Sequence, residues 1–201
     1  MKIMLKMGVS VATSLLFLAS GALAEKRGNC DESFDVPFRA GSELHLDLRA
    51  GDINILGTDE PIVRVRCYVK ESGRAKDVSV IFDEGKQFGR LSIKGGPNNE
   101  VRMDIQVPRR SHLIVRSTAG NLELTGVDGH KDVSMRAGDL TIDVGDAGDY
   151  SLAEASVTAG DLKASAFGVH KGGLFRSFRR ENSTGKYHLR ASLWAGDLKL
   201  K

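Results

Sequence analysis

Arg136-Ala137-Gly138-Asp139-Leu140 points to the architecture of the whole chain, because the chain repeats it. The same frame recurs as Arg49-Ala50-Gly51-Asp52-Ile53, Thr118-Ala119-Gly120-Asn121-Leu122, Thr158-Ala159-Gly160-Asp161-Leu162 and Trp194-Ala195-Gly196-Asp197-Leu198. Glycines 120, 138, 160 and 196 lie 18, 22 and 36 residues apart, so the last gap is twice the first. This predicts a unit of about 18–20 residues, within the range of solenoid repeats.

Each copy sits between segments that alternate apolar and polar residues, the pattern of a half-buried strand. Val133, Met135 and Ala137 precede the corner, and Leu140, Ile142 and Val144 follow it. Unbroken alternation would place the next apolar residue at 139, but it falls at 140. Leu48 and Ala50 before Ile53 and Ile55 show the same slip, as do Ala119 to Leu122, Ala159 to Leu162 and Ala195 to Leu198. One extra residue turns every later side chain to the wrong face of a flat strand. A β-bulge or a sharp strand corner absorbs it. Glycine supplies the unusual backbone angles there, and Asp or Asn is expected to accept hydrogen bonds from backbone amides freed by the bend. Gly51, Asp52, Gly120, Asn121, Gly138, Asp139, Gly160, Asp161, Gly196 and Asp197 are therefore read as structural corners.

The rest of the chain alternates too. Leu44, Leu46 and Leu48 form one run; Val63, Val65, Cys67 and Val69 form another; Val101, Met103, Ile105 and Val107 form a third, ended by Pro108. Val78–Phe82 and Leu91–Lys94 read as a hairpin joined through Asp83–Arg90. After residue 24 no stretch carries helical periodicity. The expected fold is all-β, a single β-solenoid-like domain of stacked short strands with Gly-Asp corners, with a β-sandwich as the alternative.

Residues 1–24 have the three parts of a secretory signal. Lys2 and Lys6 make the basic start, Val9–Ala19 is mainly apolar, and Ala22-Leu23-Ala24 is a small-x-small cleavage site. The apolar part is shorter than the ~20 residues a spanning helix needs. The expected division is a signal over 1–24, an extension over 25–33 and one domain over 34–201. Removing the signal leaves 27 basic against 26 acidic residues, a net charge of +1. A near-neutral chain is a poor nucleic-acid binder, so no nucleic-acid partner is expected, and no transmembrane segment in the mature form. Cys30 and Cys67 are the only cysteines. In an oxidising compartment an even count reads as a disulfide, with two free thiols or a lipid anchor on Cys30 as the alternatives.

The sequence resembles a family of bacterial exported proteins described as putative adhesins. The resemblance rests on Phe34-Asp35-Val36-Pro37 leading to Gly41 and Leu44–Leu48, on Gly51-Asp52-Ile53, on Val101–Pro108, on the corners at 120 and 138, and on Gly185–Lys201. It implies a β-solenoid fold and carries no catalytic residues. Asn121 departs from it, standing where an Asp is expected.

Stacked corners would bring Asp52, Asn121, Asp139, Asp161 and Asp197 into a column with neighbours about 5 Å apart. Calcium takes 6–8 oxygen ligands, but the contiguous Gly-Asp nonapeptides of calcium-binding β-rolls are missing. Structural capping is the preferred reading, with no metal and no cofactor. His45, His112, His130, His170 and His188 fall in no zinc spacing, and no Gly-x-Ser-x-Gly elbow is present. Asp and Glu are plentiful, but no pair is singled out for glycoside hydrolysis. The chain is read as a non-enzyme.

His170–Arg190 is the one basic, aromatic-interleaved region. Lys171, Phe175, Arg176, Phe178, Arg179 and Arg180 make the candidate binding surface, through arginine forks and ring stacking. The competing reading is a solvated loop whose two Phe side chains plug the end of the solenoid. The expected function is an exported, non-catalytic envelope or cell-surface binding scaffold, its partner a cell-surface glycan or an envelope protein. A periplasmic regulatory or assembly partner is the alternative, and a polysaccharide-acting enzyme a more distant one.

Overall fold

The computed structural model describes residues 25–201 apart from residues 71, 86–87 and 97–100, and residues 1–24 lie outside it. The signal-sequence reading therefore falls outside the described residues. Thirteen strands make up one hydrogen-bonded network. They are β1 (Glu25–Asn29), β2 (Phe34–Pro37), β3 (Glu43–Leu48), β4 (Gly51–Thr58), β5 (Ile62–Val69), β6 (Val78–Glu84), β7 (Phe88–Gly95), β8 (Val101–Pro108), β9 (His112–Thr125), β10 (Lys131–Ile142), β11 (Tyr150–Ala164), β12 (Val169–Glu181) and β13 (Tyr187–Leu200). The all-β expectation holds.

Strands β9, β10, β11 and β13 each turn a corner at their Ala-Gly-Asp/Asn and so contribute one arm to each of two facing layers. β3 and β4 are the two arms of a further coil, and β7 and β8 of another. All these pairings are parallel, and they match like with like: Gly51 with Gly120, Gly120 with Gly138, and Gly138 with Gly196. Ala195 pairs with Ala159 in the next coil. The core lies between the arms. Leu44, Leu46, Leu113, Val115, Val133 and Leu193 on one side face Ile55, Leu122, Leu124, Leu140, Leu162 and Leu198 on the other, all buried. Each such side chain contributes about 2 kcal/mol on leaving water.

At the corner, apolar positions shift by one residue as the repeat predicts: Met135 is buried, Arg136 and Asp139 are exposed, and Leu140 is buried again. Gly120, Gly138, Gly160 and Gly196 hold φ between +110° and +134°, a region from which a side chain is excluded sterically.

One feature differs from the repeat arithmetic. The 36-residue gap does not span two successive coils. The chain leaves β11, turns back antiparallel as β12, and then runs β13 parallel to β11 on its other side, between β10 and β11. The spatial order is thus β9-β10-β13-β11-β12.

Both ends are finished by antiparallel strands. At the amino-terminal end β6 pairs β7 and β1 pairs β6 in one layer, while β5 pairs β8 and β2 pairs β5 in the other. A disulfide between Cys30 and Cys67 ties the layers together there, and the free-thiol and lipid-anchor alternatives fall away. At the other end, β12 is the edge strand.

Candidate functional site

Alternation sends every second residue of the first arm outward, and the in-register stack aligns these residues in rows across the strands. The row nearest the turns holds Glu43, His112, His130 and His188. The His130 amide donates to His112 Nδ1 at 3.1 Å, and the His188 amide donates to His130 Nδ1 at 2.8 Å. Each accepting Nδ1 must be unprotonated, which places the ring proton of His112 and His130 on Nε2. Ring centroids lie 4.6 Å apart for His112–His130 and 5.0 Å for His130–His188. Burial pulls the His130 pKa below its usual 6.5, the charges of His112 and His188 add to that, and Glu43 opposes it.

The next row alternates charge: Asp132, Arg190, Glu154 and Arg179. Arg190 reaches Glu154 at 3.3 Å, and Arg179 bridges Glu154 and Glu181. Then comes a hydroxyl row of Ser134, Ser192, Ser156 and Ser177, in which Ser192 Oγ lies 2.9 Å from Ser134 Oγ. Beside the corner, Arg136, Trp194, Thr158 and Phe175, one from each of β10, β13, β11 and β12, fall at matching positions between paired flanking residues. Trp194 is 63% exposed and Phe175 80%. The indole borders a shallow groove lined by Arg116, Ser134, Met135 and Arg136.

Beyond the corner, Asp52, Asn121, Asp139 and Asp197 align in consecutive coils, with Asp161 one coil further. Asn121 Nδ2 donates to Asp52 Oδ1 at 2.8 Å. No hydrogen bond from a backbone amide to the carboxylates of Asp139, Asp161 or Asp197 is present among the described residues, so the expected capping gives way to the glycine column as the feature that shapes the bend. No group of three or more His, Cys, Asp or Glu side chains suited to a metal ion occurs among the described residues.

The basic segment is not a loop. It is β12, and its residues divide between the two faces of that strand. Arg176, Phe178 and Arg180 stand opposite Val157, Ala155 and Ala153, whose side chains point to the core. Phe178 packs on Phe167 with centroids 5.2 Å apart, and the Arg180 guanidinium lies 5.9 Å from the Phe167 ring centre. Arg179 stands opposite the outward Glu154, and Phe175 falls level with Thr158 between the pairs Val157–Arg176 and Ala159–Leu174. Arg176 Nε donates to the Gly172 carbonyl at 2.6 Å, and Lys171 Nζ to the Ser177 carbonyl at 2.7 Å. The six residues therefore do not form one surface. Of the two Phe side chains expected to plug the end, Phe178 does so and Phe175 does not.

Sequence reasoning missed Lys131, which is 1% exposed. It occupies the inward position two residues before Val133, so extending the alternation by one step would have found it. Its ammonium donates to the Tyr150 hydroxyl, which in turn donates to the Val144 carbonyl at 3.1 Å. Burial lowers its pKa from 10.5 to about 8, with Asp128, Asp143 and Asp149 opposing.

No family model and no curated protein matches the chain. Among solved structures, a protein from Clostridium sporogenes described as a putative cell adhesion protein is similar over 85% of this chain and 98% of its own. The TM-score is 0.53 and the identity 14%, a likeness of fold. A putative adhesin from Parabacteroides merdae is similar over 62% of this chain and 59% of its own, at a TM-score of 0.30 and 14% identity.

Proposed function

We propose that this chain is an exported, non-catalytic scaffold of the bacterial envelope that binds through the outer face of its first arm. The observation that carries the reading is the group Arg136, Trp194, Thr158 and Phe175 beside the corner, where two large aromatic side chains are left in water on the strands either side of β11. Exposed aromatic surface of this kind marks interaction sites. The Cys30–Cys67 disulfide supports export, since such bonds persist in oxidising compartments. The adhesion-related description of the Clostridium sporogenes neighbour supports a binding role. Among the described residues no helix is long and apolar enough to cross a membrane.

Protease accessibility on intact and lysed cells tests where the scaffold works. Cleavage on intact cells is the expected result for a surface binder. Protection until lysis would overturn the surface reading in favour of a periplasmic assembly or regulatory partner.

A further inference from the structure

We propose that the corner row of the first arm is a binding site for an extended, carboxylate-bearing polysaccharide lying across the strands. The inference rests on the binding-scaffold reading and names its ligand class.

Trp194 on β13 and Phe175 on β12 fall at matching positions on either side of the small Thr158 of β11, bracketed by the pairs Val157–Leu193 and Ala159–Ala195 on one side and Val157–Arg176 and Ala159–Leu174 on the other. Two strand spacings separate the aromatic positions, about 10 Å. In an extended β-linked chain every second sugar presents the same face, at a comparable interval. The apolar C–H face of a pyranose covers an aromatic ring while its hydroxyls stay at the edge, so two rings at this interval with a trough between them suit alternate sugars.

Phe175 has φ +52°, the only positive value at a non-glycine residue among those described. A backbone held in that region stores strain and is a feature of ligand-binding sites. Here it accompanies a ring left in solvent with no aromatic contact to account for it.

Polar groups lie where sugar hydroxyls would fall. The serine row runs parallel to the aromatic row, and the fixed carboxylate–guanidinium pairs of Glu154 with Arg179 and Arg190 lie one row further. Planar groups of this kind offer bidentate hydrogen bonding.

Arg136 selects the charge of the ligand. It stands beside Trp194 in the row, is exposed, and makes no hydrogen bond or ion pair among the described residues. Arg116, which lines the same groove, is engaged by Asp132 at 2.9 Å. An unengaged guanidinium next to a stacking platform fits a uronate carboxylate rather than a neutral sugar.

Trp194 is the only tryptophan in the chain, so its emission reports on this site alone. The test titrates the full protein with β-1,4-linked mannuronate hexamer and, as the neutral control, with cellohexaose. The expected result is a blue-shifted or quenched emission with the mannuronate, weakening as salt is added. By calorimetry, Phe175→Ala should lose about tenfold in affinity and Trp194→Ala at least as much. Arg136→Gln should erase the preference for the acidic over the neutral chain. Circular dichroism verifies that each variant is folded, and Ser165→Ala, far from the row, should bind as the parent does.

No change in emission with either saccharide would overturn the proposal, and equal binding of both would overturn its acidic component. Attachment of cells that persists in a folded Trp194→Ala/Phe175→Ala variant would remove this site while leaving the scaffold reading in place.

Discussion

Gly138 lies against Gly120 so closely that a β-carbon on Gly138 would overlap the Gly120 carbonyl oxygen. The same contact joins Gly120 to Gly51, Gly196 to Gly138 and Gly160 to Gly196. Substitution therefore meets two costs, an unfavourable φ and a clash with rigid backbone. Gly138→Ala should destabilise the protein by more than about 3 kcal/mol. Asp139→Asn, at an exposed side chain, should stay within about 0.5 kcal/mol. Chemical denaturation of the two variants decides the matter, and the reverse order would refute the glycine column as the shaping element.

The buried Lys131 gives a second expectation. Its folded-state pKa of about 8 lies below the unfolded value of 10.5. Between those values the unfolded chain holds the proton more often, so stability rises with pH across that window. A shift of this size corresponds to a penalty of about 3 kcal/mol on the charged form below pH 8. Tyr150, whose pKa burial raises, works in the opposite direction above pH 10. The gain should therefore show between pH 8 and 10. Lys131→Met should flatten that rise and be more stable than the parent at pH 7, because Tyr150 keeps its bond to Val144. Urea midpoints at pH 7.5 and 9.5 provide the comparison, and equal slopes in the two proteins would contradict it.

The imidazole ladder responds at the acid end. His130 has a folded-state pKa below its unfolded value of 6.5. Its contribution is fully present above pH 6.5 and is lost as pH falls through the folded value, since the unfolded chain takes up the proton first. Protonation would also set an Nδ1–H against the His188 amide, two donors facing each other. His112, His188, Glu43 and the Tyr187 ring surround the group. Melting temperatures from pH 7.5 down to 5 should fall more steeply for the parent than for His130→Asn. Parallel curves would rule the ladder out as the cause.

The disulfide closes a 37-residue separation between the two layers. A loop of that size implies about 4 kcal/mol of stabilisation in the chain-entropy model, and measured values cluster at ~2–4 kcal/mol. Cys30→Ser/Cys67→Ser should lower the unfolding free energy by that amount and loosen β1 first. Hydrogen exchange resolved by segment would show Glu25–Asn29 losing protection ahead of β9 and β10, and uniform loss would count against a local clamp.

The corners were legible in the sequence because a one-residue slip in a period-2 pattern has few physical solutions. Met135 buried, Asp139 exposed and Leu140 buried record that slip directly. The order of stacking was not legible. Every Ala-Gly-Asp rung presents the same shape, so nothing local in Gly196 states that it rests on Gly138 and supports Gly160. The β12 strand was hidden for a related reason: Gly172-Gly173 replaces the Ala-Gly-Asp signal in a strand running the other way, although Gly173 is the register partner of Gly160. The candidate surface was divided by that same strand. Alternation sends Arg179 and Arg180 to opposite faces, a distinction that charge clustering along a sequence does not make. In the sequence Trp194 reads only as part of a corner, since its exposure depends on what the neighbouring coils leave uncovered.

The position of β13 has a consequence for the order in which the molecule can be assembled. A chain emerging amino-terminus first can lay β10 on β9 and fold β12 back on β11 as each appears, but the β11–β12 pair has no link to β10 until Tyr187–Leu200 arrives. The final strand is then a keystone that slides between two elements already made. Until it does, β10 and β11 both present open edges, and open edges of long strands recruit other chains. Insertion of β13 is thus the step that separates the closed stack from a sticky intermediate, and any helper that escorts this protein would be needed up to that moment and no longer.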